Sequence, residues 1–478
     1  MQAFRQWLRQ SPVASRARAF YKSPYYMAFC ATMMLFSFIT GFVVLSWCIT
    51  MAVAALSLLV SEDMIAVWPP TFCAPFFIST DQALGRVYGT GTLFSTPNLI
   101  VLGILVLYIF ACFVMHFVLW GGFLAPFTKK TRLTYFILPL ALALLCNGLG
   151  ADGYVSGNFV FALVTVLCWM VLYLFYFWYV RGGKEAIDYF ARSCVFVTLG
   201  LVGELAWVFY SHDVIREGTV NEIYIYFGWG INNNFGGIVA LLVPMSFYLF
   251  AKSGRRAPLY YATACLALLA LVLSNSRASL LMGGLAFVGC AVLVCFVGRH
   301  KRMGAAFLLG GGICGVTCLI LLWDRLMAFV PRYLTVGFAD GGRFALWRDT
   351  LHTFSESPLF GGGFFSVHFD SYVGSFFPGL AHNTLIELLG AGGLVLFLAY
   401  LAYRVATVRL FVSKPNLERL FLGLTVLTLL GVSLLDNHMF NVYPLFFYCA
   451  ALALAEHDHA ASAEEAEEPN RQISQISE

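Results

Sequence analysis

The chain has 478 residues, 60% hydrophobic and 11% charged, with a formal net charge of +4 and a mean hydropathy of +0.80. Soluble domains carry about 25% charged residues, so a water-exposed fold is excluded, a bilayer is the expected solvent, and no nucleic acid partner is expected. The 13 cysteines fall in apolar segments except for Cys73, without CxxC or Cys/His ligand spacing, so neither a disulfide framework nor a metal site is expected.

The first 25 residues carry Arg5, Arg9, Arg16, Arg18 and Lys22, and no small-residue cleavage site follows the apolar run. They predict a basic cytoplasmic arm rather than a cleaved leader. A spanning helix needs about 20 apolar residues, and about twelve candidate spans follow. They lie near 26–48, 98–120, 133–150, 158–180, 193–210, 234–251, 258–274, 279–298, 304–323, 383–403, 420–436 and 440–455. Residues 26–60 stay apolar throughout, which predicts one tilted span running into an interfacial segment. The aromatic, Pro-rich stretch 61–97 predicts an interfacial cap on the outer side. With the N-terminus inside, the basic groups at Lys129, Lys130 and Arg132, at Lys252, Arg255 and Arg256, and at Arg299, Lys301 and Arg302 all fall on cytoplasmic loops. That is the positive-inside pattern. The basic residues left outside are all arginines (Arg86, Arg216, Arg277, Arg325, Arg332, Arg343 and Arg348). A guanidinium stays charged and grips phosphate oxygens two at a time.

The fold class expected is therefore all-α: a polytopic membrane protein of about 12 transmembrane helices. One large extracytoplasmic loop, 324–382, contains a short amphipathic helix. In its RFALWRDTLHTFSESP segment, Phe344, Trp347, Leu351 and Phe354 recur at helical spacing and stop before Pro358. Such a helix lies on the outer leaflet. The transmembrane domain covers 26–455, and the acidic stretch 456–478 predicts a disordered cytoplasmic tail.

Four stretches facing the same outer side carry a resemblance: INNNFGGIVALLVP, LSNSRASLLMGG, GGRFALWRDTL followed by SPLFGGGFF, and AHNTLIELLGAGGLVLFLAYL. Over roughly residues 190–440 the chain resembles the bacterial O-antigen ligase and O-antigen polymerase superfamily. Those are polytopic glycosyltransferases of the inner membrane, working on its outer face on undecaprenyl-pyrophosphate-linked glycans. The resemblance implies an inverting, metal-independent transfer without a cofactor, to a glycan or lipid-linked acceptor. It assigns catalysis to His382 and pyrophosphate binding to Arg277 and Arg343.

The residues allow both that reading and plainer ones. Histidine titrates close to neutrality, so His382 suits a general base, or it anchors a helix at the interface. Arg277 can also snorkel to headgroups, and Arg343 can contact phospholipid. Glu387 orients the imidazole or bonds a neighbouring span. Asn383, Arg348 and Asn234 are possible supporting residues, and Asn232, Asn233 and Asn234 can bind sugar hydroxyls or cap a helix. Gly361, Gly362 and Gly363 can bring backbone N–H groups to a phosphate or make the loop flexible. Glu204, inside a span, is expected to be paired. Two other classes compete. A transporter or flippase would place charges midway through several spans. A peptidoglycan-type polymerase would rely on a loop carboxylate such as Asp340, Asp349 or Asp370.

Overall fold

The computed structural model describes residues 2–78, 95–123, 125, 129, 131–152, 154–212, 214–216, 219–220, 224–225, 227–228, 232–321, 323, 343–365, 381–413 and 415–476. Arg325, Arg332, Asp340 and Asp370 lie outside them. The described chain is helical apart from one two-residue antiparallel pair, β1 (Ile215–Arg216) and β2 (Thr219–Val220). Among the described residues, six helices are long and apolar enough to cross a bilayer. They are α4 (Val43–Val60), α5 (Thr96–Trp120), α7 (Ser156–Tyr179), α8 (Lys184–Ser211), α9 (Asn232–Lys252) and α14 (Thr384–Val412). Shorter apolar helices stand among them: α3 (Pro24–Thr40), α6 (Thr134–Leu145), α10 (Ala257–Leu273) and α11 (Arg277–Leu293). The remaining helices are α1 (Gln2–Gln10), α2 (Pro12–Tyr21), α12 (Lys301–Leu321), α13 (Arg343–Glu356), α15 (Leu417–Ser433) and α16 (Val442–Ile476). The tail expected to be disordered thus continues the last helix through Ile476. Helix α9 is almost wholly buried, and α8, α10, α11 and α15 pack around it.

The N-terminal region departs from the expected single tilted span. The chain breaks at Gly41 and returns as α4, so Tyr21 donates to the Val53 carbonyl (2.8 Å) and Arg18 to that of Val60 (3.2 Å). A third leg, Met64–Phe77, then runs parallel to α3. Tyr26 at the start of α3 donates to Ala66 O (3.0 Å), and Ser37 near its end donates to Phe77 O (2.7 Å). The start of the segment expected to cap the outer side is therefore a buried leg. Two 3-10 turns flank its α-helical centre, and the longer 3-10 rise lets a run this short cover about 25 Å. Three legs preserve the direction that one span would give, so the downstream orientation is unchanged.

Side-chain links sort the helix ends into two groups. At one end Glu62 pairs with Arg9 and with Arg181 (2.6 Å), and Lys252 pairs with Asp188 (2.7 Å). There, too, Arg419 pairs with Asp458 (2.6 Å) while Glu456 accepts from Thr131 (2.8 Å). The other end holds Asn147, Asn158, Asn233, Ser276, Trp347, His382 and Asp436. Within α8, Glu204 is fully buried, and neither carboxyl oxygen has a hydrogen-bond partner among the described residues. The pairing expected for it is not found.

Helix α14 is interrupted at Gly393, whose φ of 64° suits glycine and breaks the helical ladder. The freed backbone groups pair with the loop after α13. Gly362 and Gly363 donate to the carbonyls of Gly390 (2.8 Å) and Ala391 (2.9 Å), while Leu394 and Val395 donate back to Pro358 (2.8 Å) and Leu359 (3.2 Å). Asn147 and Asn158, both fully buried, accept from Phe364 N (3.2 Å) and Phe365 N (2.6 Å). Irregular backbone away from water must be satisfied by protein, and here it is. The triple glycine is thus a structural clasp on α14, neither a phosphate cradle nor a flexible loop, because its amides are already engaged.

Candidate active site

The site is built at the start of α14. Asn383 caps the helix, its Oδ1 accepting from Leu385 N (3.0 Å) and Ile386 N (3.2 Å). Its amide donates to the Leu434 carbonyl (3.0 Å), tying the cap to the turn after α15. His382, one residue earlier, has φ 50°, a left-handed conformation costly for a side chain with a Cβ. That turn directs the imidazole away from the helix. Nδ1 lies 2.9 Å from Asp436 Oδ1. An ionised carboxylate only accepts, so Nδ1–H is the donor and Nε2 is left for other chemistry.

Asp436 sits in the turn joining α15 and α16. Burial alone would raise its pKa, but the His382 hydrogen bond, the neighbouring His438 and the Asn437 N–H (2.8 Å) prevail and lower it to about 2. The carboxylate therefore stays ionised at neutral pH, and the stability it contributes is lost only as pH falls toward that value. Glu387, one turn into α14, accepts from Ala381 N (3.1 Å) and the Asn437 amide (3.4 Å). It ties the Ala381 backbone to the Asn437 side chain, while the imidazole is held by Asp436.

A second histidine links this turn to α9. His438 is fully buried, and burial depresses its basicity, against the pull of Asp436. Its ring lies over Gly237, where a Cβ would overlap it, beside the Asn233 carbonyl. The same carbonyl accepts from Ser279 (3.3 Å), which in turn accepts from Ser276 (2.8 Å), the residue preceding Arg277. Arg277 opens α11 and is exposed. Asn275, like His382, is a non-glycine residue with positive φ (57°). The start of α11 and the ring of His438 thus both lie beside the Asn233 carbonyl. Asn234 lies half-buried in the first turn of α9.

Helix α13 forms where the apolar spacing predicts it. Leu346 and Thr350 are buried, and Thr350 lies against Gly390 of α14. Phe344 and Leu351 remain exposed, as a leaflet-facing surface requires. Trp347 donates through Nε1 to the carbonyl of Ala381 (2.7 Å), next to His382. Arg343 lies one turn before Trp347 on the same face, about 6 Å along the axis. Arg348 lies roughly 140° round the helix from Arg343; it is largely exposed, with its Nε 3.5 Å from Asp349.

The structure thus ties His382, Asn383 and Glu387 to one turn, 434–441, with Trp347 of the helix that Arg343 opens bonded to Ala381 beside them. Sequence reasoning missed Asp436, His438 and the Asn233 carbonyl. The signal was present in the tripeptide Asp436, Asn437, His438 between two apolar segments on the side of His382.

Residues 262–401 match the sequence model of a family described as O-antigen ligase. Over this stretch the chain is similar to that family. The match runs from within α10 to the middle of α14 and includes Arg277, Arg343, His382, Asn383 and Glu387, while Asp436 lies beyond it. No curated protein matches the chain. The apolar helices and the O-antigen ligase match together describe a membrane enzyme of ligase or polymerase type.

Proposed function

We propose that the protein is a glycosyltransferase of the O-antigen ligase type, moving a glycan from undecaprenyl pyrophosphate to an acceptor hydroxyl at the outer face of the cytoplasmic membrane. The observation that carries this reading is the His382–Asp436 pair (2.9 Å), at the start of a helix within the O-antigen ligase match. Asp436 fixes the Nδ1–H tautomer, so Nε2 takes the acceptor proton as its oxygen attacks the anomeric carbon. The bond from that carbon to the pyrophosphate oxygen breaks, and its electron pair leaves with the phosphate. Attack from the side opposite the leaving group inverts the anomeric centre. Arg277 and Arg343 offset the charge growing on the pyrophosphate, which lets the reaction run without a metal ion. Asn383 and Glu387 hold the turn, and Arg348 and Asn234 are given supporting roles.

Asp436→Asn keeps the shape but removes the anion that fixes the tautomer. Transfer is expected to fall about 10²-fold or more, with donor binding retained. A membrane assay with a defined lipid-linked donor measures it, and wild-type rates in the Asn variant would remove Asp436 from the mechanism.

The orientation rests on the basic residues gathered at the end opposite His382. Cysteines introduced at Ser253 and Ser355 test it in intact cells. A membrane-impermeant thiol reagent is expected to label position 355 and spare 253; the reverse pattern would invert the topology.

A further inference from the structure

At the end of the bundle opposite His382, a groove of about 510 Å³ opens between the start of α6 and the end of α14. Arg132, just before α6, and Arg409 of α14 line it, with Ser413 and His459 beside them and Phe136 and Leu410 along the wall. His459 Nε2 lies 3.4 Å from Arg132 Nη1. Among the described residues, no acidic side chain lines the groove. The nearby Glu456 is turned inward, taking Thr131, Tyr173 and the Arg132 backbone N–H. The start of α6 adds the positive end of its helix dipole. This pairing of cations with an apolar wall at a helix terminus has no part in the transfer chemistry at the other end.

We propose that this groove binds an anionic glycerophospholipid of the cytoplasmic leaflet. The phosphate sits between Arg132 and Arg409, whose positive charges offset its own. The acyl chains follow Phe136 and Leu410 down the outside of α6 and α14. Basic pockets between membrane helices on the cytoplasmic side take anionic headgroups for this reason. A soluble anion would gain the charge contacts but not the apolar wall, which favours the lipid. The site clamps α6 to α14 at the end where the clasp of Gly361, Gly362 and Gly363 does not reach.

Native mass spectrometry of the purified full-length protein, with phosphatidylglycerol or phosphatidylcholine added, tests the assignment. Two arginines near the headgroup predict a preference of about 30-fold for phosphatidylglycerol. The preference should vanish in an R132Q/R409Q double variant and persist in R132K/R409K. Benzoylphenylalanine at position 136, with both arginines intact, should crosslink phosphatidylglycerol, a result independent of how the double variant folds. Equal retention of the two lipids by the wild type, an unchanged preference in R132Q/R409Q, or no crosslink from position 136 would overturn the proposal. Displacement of the lipid by millimolar inorganic phosphate would overturn it too, by assigning the groove to a soluble anion.

Discussion

His382→Ala is expected to lower glycan transfer by about 10²–10⁴-fold, the usual cost of losing a general base. The loss should fall on the chemical step, because the imidazole takes a proton only while the acceptor oxygen attacks. Donor binding should persist, since the pyrophosphate is held by arginines on other helices. Expression should persist as well. The α14 cap is made by Asn383 and the preceding turn by Glu387 to Ala381 N, and neither involves the imidazole. Substitution at a left-handed backbone position also leaves the strain where it was, because alanine carries the same Cβ penalty as histidine. Kinetics on reconstituted membranes separate the effects: reduced transfer with unchanged donor affinity supports the base. Normal transfer would end that role.

The second large effect concerns Arg277. Arg277→Lys is expected to lose nearly as much as Arg277→Ala, about 10²–10³-fold in transfer. Lysine keeps the charge but not the planar fork that meets two phosphate oxygens at once. At the exposed start of α11 a simple anchor to headgroups would accept either cation equally. Both variants should also weaken donor binding, in contrast to His382→Ala. A lysine variant with wild-type transfer would reduce Arg277 to an anchor.

The parts of the site legible in the sequence are those whose chemistry is local. His382, Asn383 and Glu387 stand within one helix start, and the α13 helix announces itself by its apolar spacing. What escaped depends on partners distant in the chain. Asp436 is separated from His382 by the whole of α14 and α15, and its tripeptide with Asn437 and His438 marks a polar turn without naming its partner. The triple glycine looked free because its acceptors, Gly390 and Ala391, belong to a helix break that hydropathy does not register. The same blindness applied at Gly41. A hydropathy sum over 26–60 contains no term for reversal, and it reads the buried leg Met64–Phe77 as an interfacial cap. The burial of that leg comes from protein: Trp68, Phe72 and Phe76 are fully enclosed, with Phe72 stacked on Phe447 of α16 (4.3 Å between centroids).

The proposed function makes one chemical claim: a hydroxyl displaces a lipid pyrophosphate directly, with His382 as the base. The measurement that tests it most directly is the anomeric configuration of the product. Purified protein in proteoliposomes would be given a defined undecaprenyl-pyrophosphate oligosaccharide and an acceptor, with chelator present, and the new linkage read by NMR. The expected result is a glycoside of inverted configuration formed as undecaprenyl pyrophosphate is released. A product of retained configuration would contradict the single displacement, and transfer that stops when metal ions are removed would contradict the role given to the two arginines.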